Sequence, residues 1–264
     1  MNPFAFHRPA SVPAALQLHG AHDDARYLAG GQSLLPTMKL GLAAPSDLID
    51  LSLLPGASGI ARDGGSLRIG AMCSHAAVAA SADVQASLPA LACLAAGIGD
   101  PAVRTRGTLG GSLAHADPAA CYPAAVLGLG ATVQTDRRQI AADAFFTGVY
   151  ETALQPGELI TEVSFPLPAR AAYLKFKQPA SRFAVVGVFV SQGPQGVRVA
   201  VTGAGPRVFR ATAFEAALAK DWSARAVEGL AWPADGLNSD LHASAAYRAH
   251  LIGVLVRRAV AQAA

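Results

Sequence analysis

Charge is scarce in this sequence. Of its 264 residues only 15% are charged, against 52% hydrophobic, and the formal net charge is +3. Low charge with high apolar content excludes a disordered chain. No basic stripe of the kind a nucleic-acid binder needs is present. Aromatic residues are few as well, at 6%. There are three cysteines, Cys73, Cys93 and Cys121, and no CxxC pair. Zinc centres and iron–sulfur clusters draw on clustered thiolates, so no metal is expected on this chain alone. A scattered, odd set fits buried apolar side chains in a reducing compartment. The longest uncharged run, residues 118–135, is interrupted by Pro118, Pro123, Gly128 and Gly130. It falls short of the ~20 consecutive apolar residues that cross a bilayer, and reads as a buried helix. The opening MNPFAFHRPASVP has no long apolar stretch of the signal-peptide kind, which makes the cytoplasm the expected compartment.

What is present is glycine, 26 residues of it, and proline, 17, without a collagen period. The mass of 26.9 kDa and mean hydropathy of +0.33 allow a large core. The pattern divides into three stretches. Residues 1–54 read helix (14–19), strand (26–29), helix (34–40), strand (48–50). Residues 55–168 open with a hairpin around Asp63-Gly64-Gly65, strong turn chemistry. Ser74 is placed to cap a helix over 75–80, and a second helix is expected over 84–96. A glycine- and arginine-rich loop follows at 97–112, then the apolar run, a strand pair around Asp136-Arg137-Arg138, and a strand at 158–165. Residues 169–264 give strands at 172–177, 183–191 and 196–202, then helices at 211–220, 223–228 and 243–263, the last capped by Ser239 or Asp240. Strands followed by helices suggest an α+β module. Pro166-Leu167-Pro168 is the candidate linker.

Two glycine segments are candidates for chemistry. The first is Ala29-Gly30-Gly31-Gln32-Ser33-Leu34 and the second Thr108-Leu109-Gly110-Gly111-Ser112. Glycine lets backbone approach a ligand and adopt positive φ. Consecutive N–H groups in such a turn make an anion-binding nest, aided by a helix N-terminus at Ser33. Two nests of this kind would cradle a pyrophosphate with almost no side-chain charge. The plain alternative is two turns, since glycine and serine dominate turns anyway. Neither segment is a G-x-G-x-x-G fingerprint or a P-loop. A serine hydrolase is disfavoured: Ser112, His115 and Asp117 are too close in sequence to converge as a triad. For His75 a capping or satisfied polar role is expected. Arg104 and Arg106 are either a solvated face or a partner or phosphate contact.

Taken together the segments resemble the FAD-binding medium subunit of the molybdenum hydroxylase family, the type of carbon monoxide and xanthine dehydrogenases. The resemblance runs end to end. It includes Pro3-Phe4-Ala5-Phe6-His7-Arg8-Pro9, the Ala29 loop continuing to Pro36-Thr37-Met38-Lys39, and Ile69-Gly70-Ala71 before Ser74-His75. It continues through Ile98-Gly99, Arg104-Thr105-Arg106-Gly107-Thr108-Leu109-Gly110-Gly111-Ser112 to Asp117-Pro118, then Phe176-Lys177, Phe183-Ala184-Val185-Val186-Gly187 and the 239–248 segment.

The resemblance implies a vanillyl-oxidase-like, PCMH-type FAD domain over 1–168, in subdomains of about 1–54 and 55–168. A small domain of a three-stranded antiparallel sheet and helices would occupy 169–264. It implies that the two glycine segments hold the FAD diphosphate, with Asp117 in the same motif. Ile98 matches a position beside the flavin, Leu159 or Ile160 another apolar contact, and Lys177 a lysine near the ring. Relatives often carry an acidic residue shortly after the Asp-Pro, where this chain has Cys121. The [2Fe-2S] clusters would sit on a small partner subunit and the molybdenum–molybdopterin cofactor on a large one, in a dimer of heterotrimers. Electrons would pass through this chain's FAD to an external acceptor, with no catalytic acid or base here. The competing readings are a scaffold subunit with a decayed flavin site and a stand-alone FAD oxidoreductase.

Overall fold

The computed structural model describes residues 1–263. The first stretch is β1 (Ala5–His7), α1 (Val12–Gly20), β2 (Arg26–Leu28), α2 (Leu34–Lys39) and β3 (Asp47–Asp50). Its three strands form a parallel sheet in the order β1-β3-β2. Ser11 caps α1, and proline stands in the first turn, where a missing N–H costs nothing. Strand β1 was not legible in the sequence, because three largely exposed residues carry no alternation.

The second stretch holds β4 (Ile60–Asp63), β5 (Ser66–Gly70), α3 (His75–Ala80), α4 (Ala82–Ser87) and α5 (Pro89–Ala96). After these come α6 (Pro101–Arg106), α7 (Leu109–His115), α8 (Tyr122–Leu129), β6 (Thr132–Thr135) and β7 (Gln139–Ala141). It closes with α9 (Ala142–Phe145), β8 (Phe146–Gly148), β9 (Glu151–Thr152) and β10 (Ile160–Pro166). Five strands make an antiparallel sheet in the order β4-β5-β10-β6-β7. Two expectations need correction. The helix expected over 84–96 is two helices, because Pro89 begins a new one after Leu88 leaves helical geometry. The expected loop at 97–112 is largely helical. Asp100 caps α6 with Pro101 behind it, and the Thr108 hydroxyl caps α7.

The third stretch is β11 (Arg170–Lys177), β12 (Ala184–Gly193), β13 (Gly196–Thr202), β14 (Phe209–Arg210), α10 (Thr212–Lys220) and α11 (Ala245–Gln262). The sheet is antiparallel and gains a two-residue fourth strand, β14. The helix expected at 223–228 is a single 3₁₀ turn, Arg225–Val227. Ser244, not Ser239 or Asp240, caps α11. Asp240 instead takes both Nη2 contacts of the buried Arg248, at 2.8 and 2.7 Å. No helix among the described residues is long and apolar enough to cross a membrane.

The uncharged run becomes α8, with all eight residues buried. It lies between the central module and the third sheet. Its last carbonyls have no helical partner, as at any helix C-terminus. Side chains of the third sheet supply partners. Ser191 Oγ donates to Gly128 O at 2.6 Å, Arg198 Nε to Leu127 O at 3.0 Å, and Gln195 Nε2 to Gly130 O at 3.0 Å. Arg198 also pairs with Asp143. Tyr173 and Phe189 of the third sheet join the central core.

Arg198→Met is therefore expected to lower stability by about 2–3 kcal/mol, the scale of a lost charge-assisted bond to a buried carbonyl. Denaturant unfolding would show it as a shifted midpoint. Arg258→Met, on the exposed face of α11, should leave the midpoint in place.

Candidate functional site

Strand β2 runs directly into the first glycine segment. Gly31 has φ +74°, a conformation that favours glycine. A Cβ on Gly30 would lie 1.9 Å from the carbonyl oxygen of Arg106. The first loop thus lies against the end of α6, backbone to backbone. On the other side, a Cβ on Gly107 would meet the His75 ring at 2.5 Å, and one on Gly110 would meet Ala71 at 2.6 Å.

The two glycine segments do different jobs. Among the described residues, the amides of Gly30, Gly31, Gln32 and Ser33 donate to no protein acceptor. Four consecutive N–H groups are left open for an anion. Helix α2 is only six residues long, so the positive pole is the loop itself. The second segment is already satisfied. Leu109 N donates to Cys73 O, Gly110 N to Ala71 O and Ser112 N to Thr108 O. Gly111 N donates to the Thr108 hydroxyl at 3.1 Å. The expected second nest is absent there, because α7 docks its first turn on 71–73. The second segment offers a side-chain-free wall and the free hydroxyl of Ser112.

Two cavities adjoin these segments. The larger, about 490 Å³, is lined by Ala29, Gly30, Gly31, Leu34, Thr108, Gly110, Gly111 and Ile160. The smaller, about 190 Å³, is lined by Ile98, Ser112, Asp117, Cys121 and Lys175. Gln32, Ser33 and His115 border both, so the two form one continuous groove. Of the site residues expected from sequence, Lys177 alone lines neither. Lys175 lines the smaller cavity, with Nζ donating to Gly97 O and Arg182 O at 2.9 Å each and lying 3.3 Å from Cys121 Sγ. Lys175 and Lys177 are two apart on β11, so strand alternation alone does not separate them; a register shift between Phe176 and Lys177 does. Asp117 accepts from Ala119 N at 2.8 Å. Ser112, His115 and Asp117 share the smaller cavity, but no hydrogen bond links them among the described residues. Arg104 is half-buried. Its Nη1 ties down Ile98 O and Gly99 O, which fixes the Ile98 turn.

Arg26, Lys175 and Arg182 line the groove against the carboxylates Glu158 and Asp117. In the larger cavity Glu158 is clamped by Arg138, with Nε and Nη2 at 2.9 Å each. The Arg138 hydrogen bonds pull its carboxyl down to about 2. His75, reached from the smaller cavity, is not satisfied as expected: it is buried and its Nδ1 has no partner among the described residues. Burial, helped by the Arg104 charge, pushes the ring down to about 4.

A dinucleotide-sized groove floored by open amides, on a parallel sheet beside an antiparallel one, defines a binding protein for a diphosphate-bearing cofactor. Family comparisons agree. The model described as "FAD binding domain in molybdopterin dehydrogenase" matches residues 2–168, and that of the "CO dehydrogenase flavoprotein C-terminal domain" matches 171–263. The chain is 36% identical to the carbon monoxide dehydrogenase medium chain of Hydrogenophaga pseudoflava, covering 97% of this chain and 96% of that one. It is 37% identical to the nicotine 6-hydroxylase medium subunit of Paenarthrobacter nicotinovorans, covering 97% and 95%. Quinoline 2-oxidoreductase from Pseudomonas putida 86 contains a chain that superposes with a TM-score of 0.89 at 32% identity, covering 99% and 96%. The chain belongs to the FAD-binding medium subunits of the molybdopterin dehydrogenases, an oxidoreductase family.

His75 should stay neutral well below pH 6. An unfolded chain takes up a proton at His75 as pH falls through about 6.5, whereas the native chain does so only near 4. Its contribution is whole above that upper value and is lost between the two. The His75 imidazole proton signals should not move between pH 7 and 5. His75→Leu should flatten the fall in melting temperature over the same window.

Proposed function

We propose that the chain binds one FAD along the whole groove and passes electrons through it within a molybdenum hydroxylase complex. The observation that carries this is the run of four open amides at Gly30–Ser33, bordering both cavities. These amides hold the diphosphate. Ile160 and Leu159 face the adenosine part of the groove or the linker, while Ile98, Ser112, Asp117 and Lys175 serve the ring end. FAD supplies uptake of an electron pair and release of electrons singly or together. The chain's own residues bind and orient. The Lys175 ammonium is pinned by two carbonyls, so it presents a fixed positive charge. His75 presents an uncharged ring. No residue is assigned as acid or base toward substrate.

Names of the relatives place them as medium chains or subunits of larger enzymes, which supports the same role here. In that role the electrons come from [2Fe-2S] clusters of a small subunit, fed by a molybdopterin centre on a large one. An external acceptor takes them, and the complex is a cytoplasmic dimer of heterotrimers. Exposed Phe176, Phe183 and Tyr247 favour a docked partner beside the smaller cavity, since aromatic residues are enriched at interfaces. The same reading divides the chain into domains 1–168 and 169–264. The intact run of open amides argues against a decayed flavin site.

The purified chain should show an oxidised-flavin absorption band and release FAD on heating. Gly31→Val should weaken FAD binding at least tenfold, about 1.4 kcal/mol, while the far-ultraviolet circular dichroism is unchanged. A folded chain that takes up no FAD, alone or with its partner subunits, would overturn the assignment.

A further inference from the structure

The N-terminal sheet brings together three side chains that the groove does not use. His7 ends β1, Asp47 begins β3, and His22 lies in the turn between α1 and β2. One ligand-type atom from each lies within 4.8 Å of the others. His7 Nε2 is 2.6 Å from Asp47 Oδ1. His22 Nδ1 is 3.5 Å from Asp47 Oδ2. The two rings are stacked with centroids 5.9 Å apart and planes at 25°. Asp47 is buried, and the Ser46 hydroxyl donates to it at 2.7 Å. The His7 hydrogen bond holds its carboxyl below the usual range. Arg8, next to His7, pairs with Asp50 at 2.9 Å.

A carboxylate needs only one imidazole for a hydrogen-bonded pair. Here a second imidazole faces its other oxygen at a distance too long for a good hydrogen bond. We propose that His7, His22 and Asp47 form a site for one divalent transition-metal ion of the zinc class. Two imidazoles and one carboxylate suit zinc, nickel or copper, whereas magnesium and calcium take all-oxygen sets. Zn–N and Zn–O bonds of about 2.0–2.2 Å place tetrahedral donors roughly 3.4 Å apart. The His22 Nδ1–Asp47 Oδ2 spacing already meets that, while His7 Nε2 faces the other oxygen, Oδ1, so both carboxylate oxygens would face the ion. The His7–Asp47 pair opens by less than about 1 Å, as Nε2 exchanges a hydrogen bond for a metal bond. Ser46 orients the carboxylate as an outer partner. The His22 side chain is 43% exposed, which leaves an entry path and room for water as fourth ligand.

The three donors come from β1, β3 and the turn that leads into β2. An ion there clips together the sheet whose β2 delivers the open-amide loop. The expectation of no metal rested on cysteine spacing. The histidines show no short motif, and only strand pairing unites them.

The test is calorimetric titration of chelator-treated, full-length protein with zinc ion, with thermal unfolding in parallel. One equivalent should bind per chain and raise the melting temperature. His22→Ala, at an exposed position, should melt like wild type without zinc, bind zinc at least tenfold more weakly and lose the zinc-dependent rise. His242→Ala and His250→Ala should behave as wild type. Magnesium ion should not compete. Absence of a one-equivalent site, a site indifferent to His22→Ala, or equal competition by magnesium would each overturn the proposal. The outcome does not depend on flavin binding.

Discussion

A Cβ at Gly30 would sit 1.9 Å from the carbonyl of Arg106, so the first loop and the end of α6 touch only because no side chain stands between them. The contact extends outward. Gly107 lies on the His75 ring, and Gly110 lies on Ala71. Each glycine lets one more piece of backbone close up. The groove runs along this seam, with the parallel sheet on one side and helices α6 and α7 on the other. Without it, the open amides of the first loop would not border the cavity that holds Ile98 and Lys175.

Recognition along this seam relies on neutral dipoles more than on ions. The amides of 30–33 offer partial positive charge without a counterion. The nearby Glu158 is already spent on Arg138. At the other end, the charge is fixed. Lys175 is held by carbonyls and lies beside the Cys121 sulfur. The smaller cavity therefore keeps a positive charge that a carboxylate at that position would offset.

Much of this was readable from local chemistry. Asp63-Gly64-Gly65 marked its hairpin, Ser74 its cap, and the apolar run at 118–135 its buried helix. The order and spacing of the motifs marked the family. Other parts were hidden for physical reasons. Asp100 and Pro101 are good helix-start signals, yet the glycines and arginines around them suggested loop. Whether a glycine segment has free amides is a tertiary matter: Gly110 N is lost to Ala71 O, some forty residues away in sequence. That Lys175 rather than Lys177 lines the smaller cavity is likewise a matter of tertiary placement that composition does not reveal.

Helix α8 sets an order on how the chain can be assembled. Its carbonyls at Leu127 and Gly128 are bound by Arg198 and Ser191, which lie 71 and 63 residues further along. On the ribosome, the helix is made long before its partners exist. Until they emerge, an entirely apolar helix has one side uncovered, and only the local turn at Gly130 caps its end. The burial of α8 is completed only when the last third of the chain packs against it. Synthesis of this protein thus ends with a step that closes the centre of the molecule, and a nascent chain stalled before β13 would carry α8 exposed to chaperones and to aggregation.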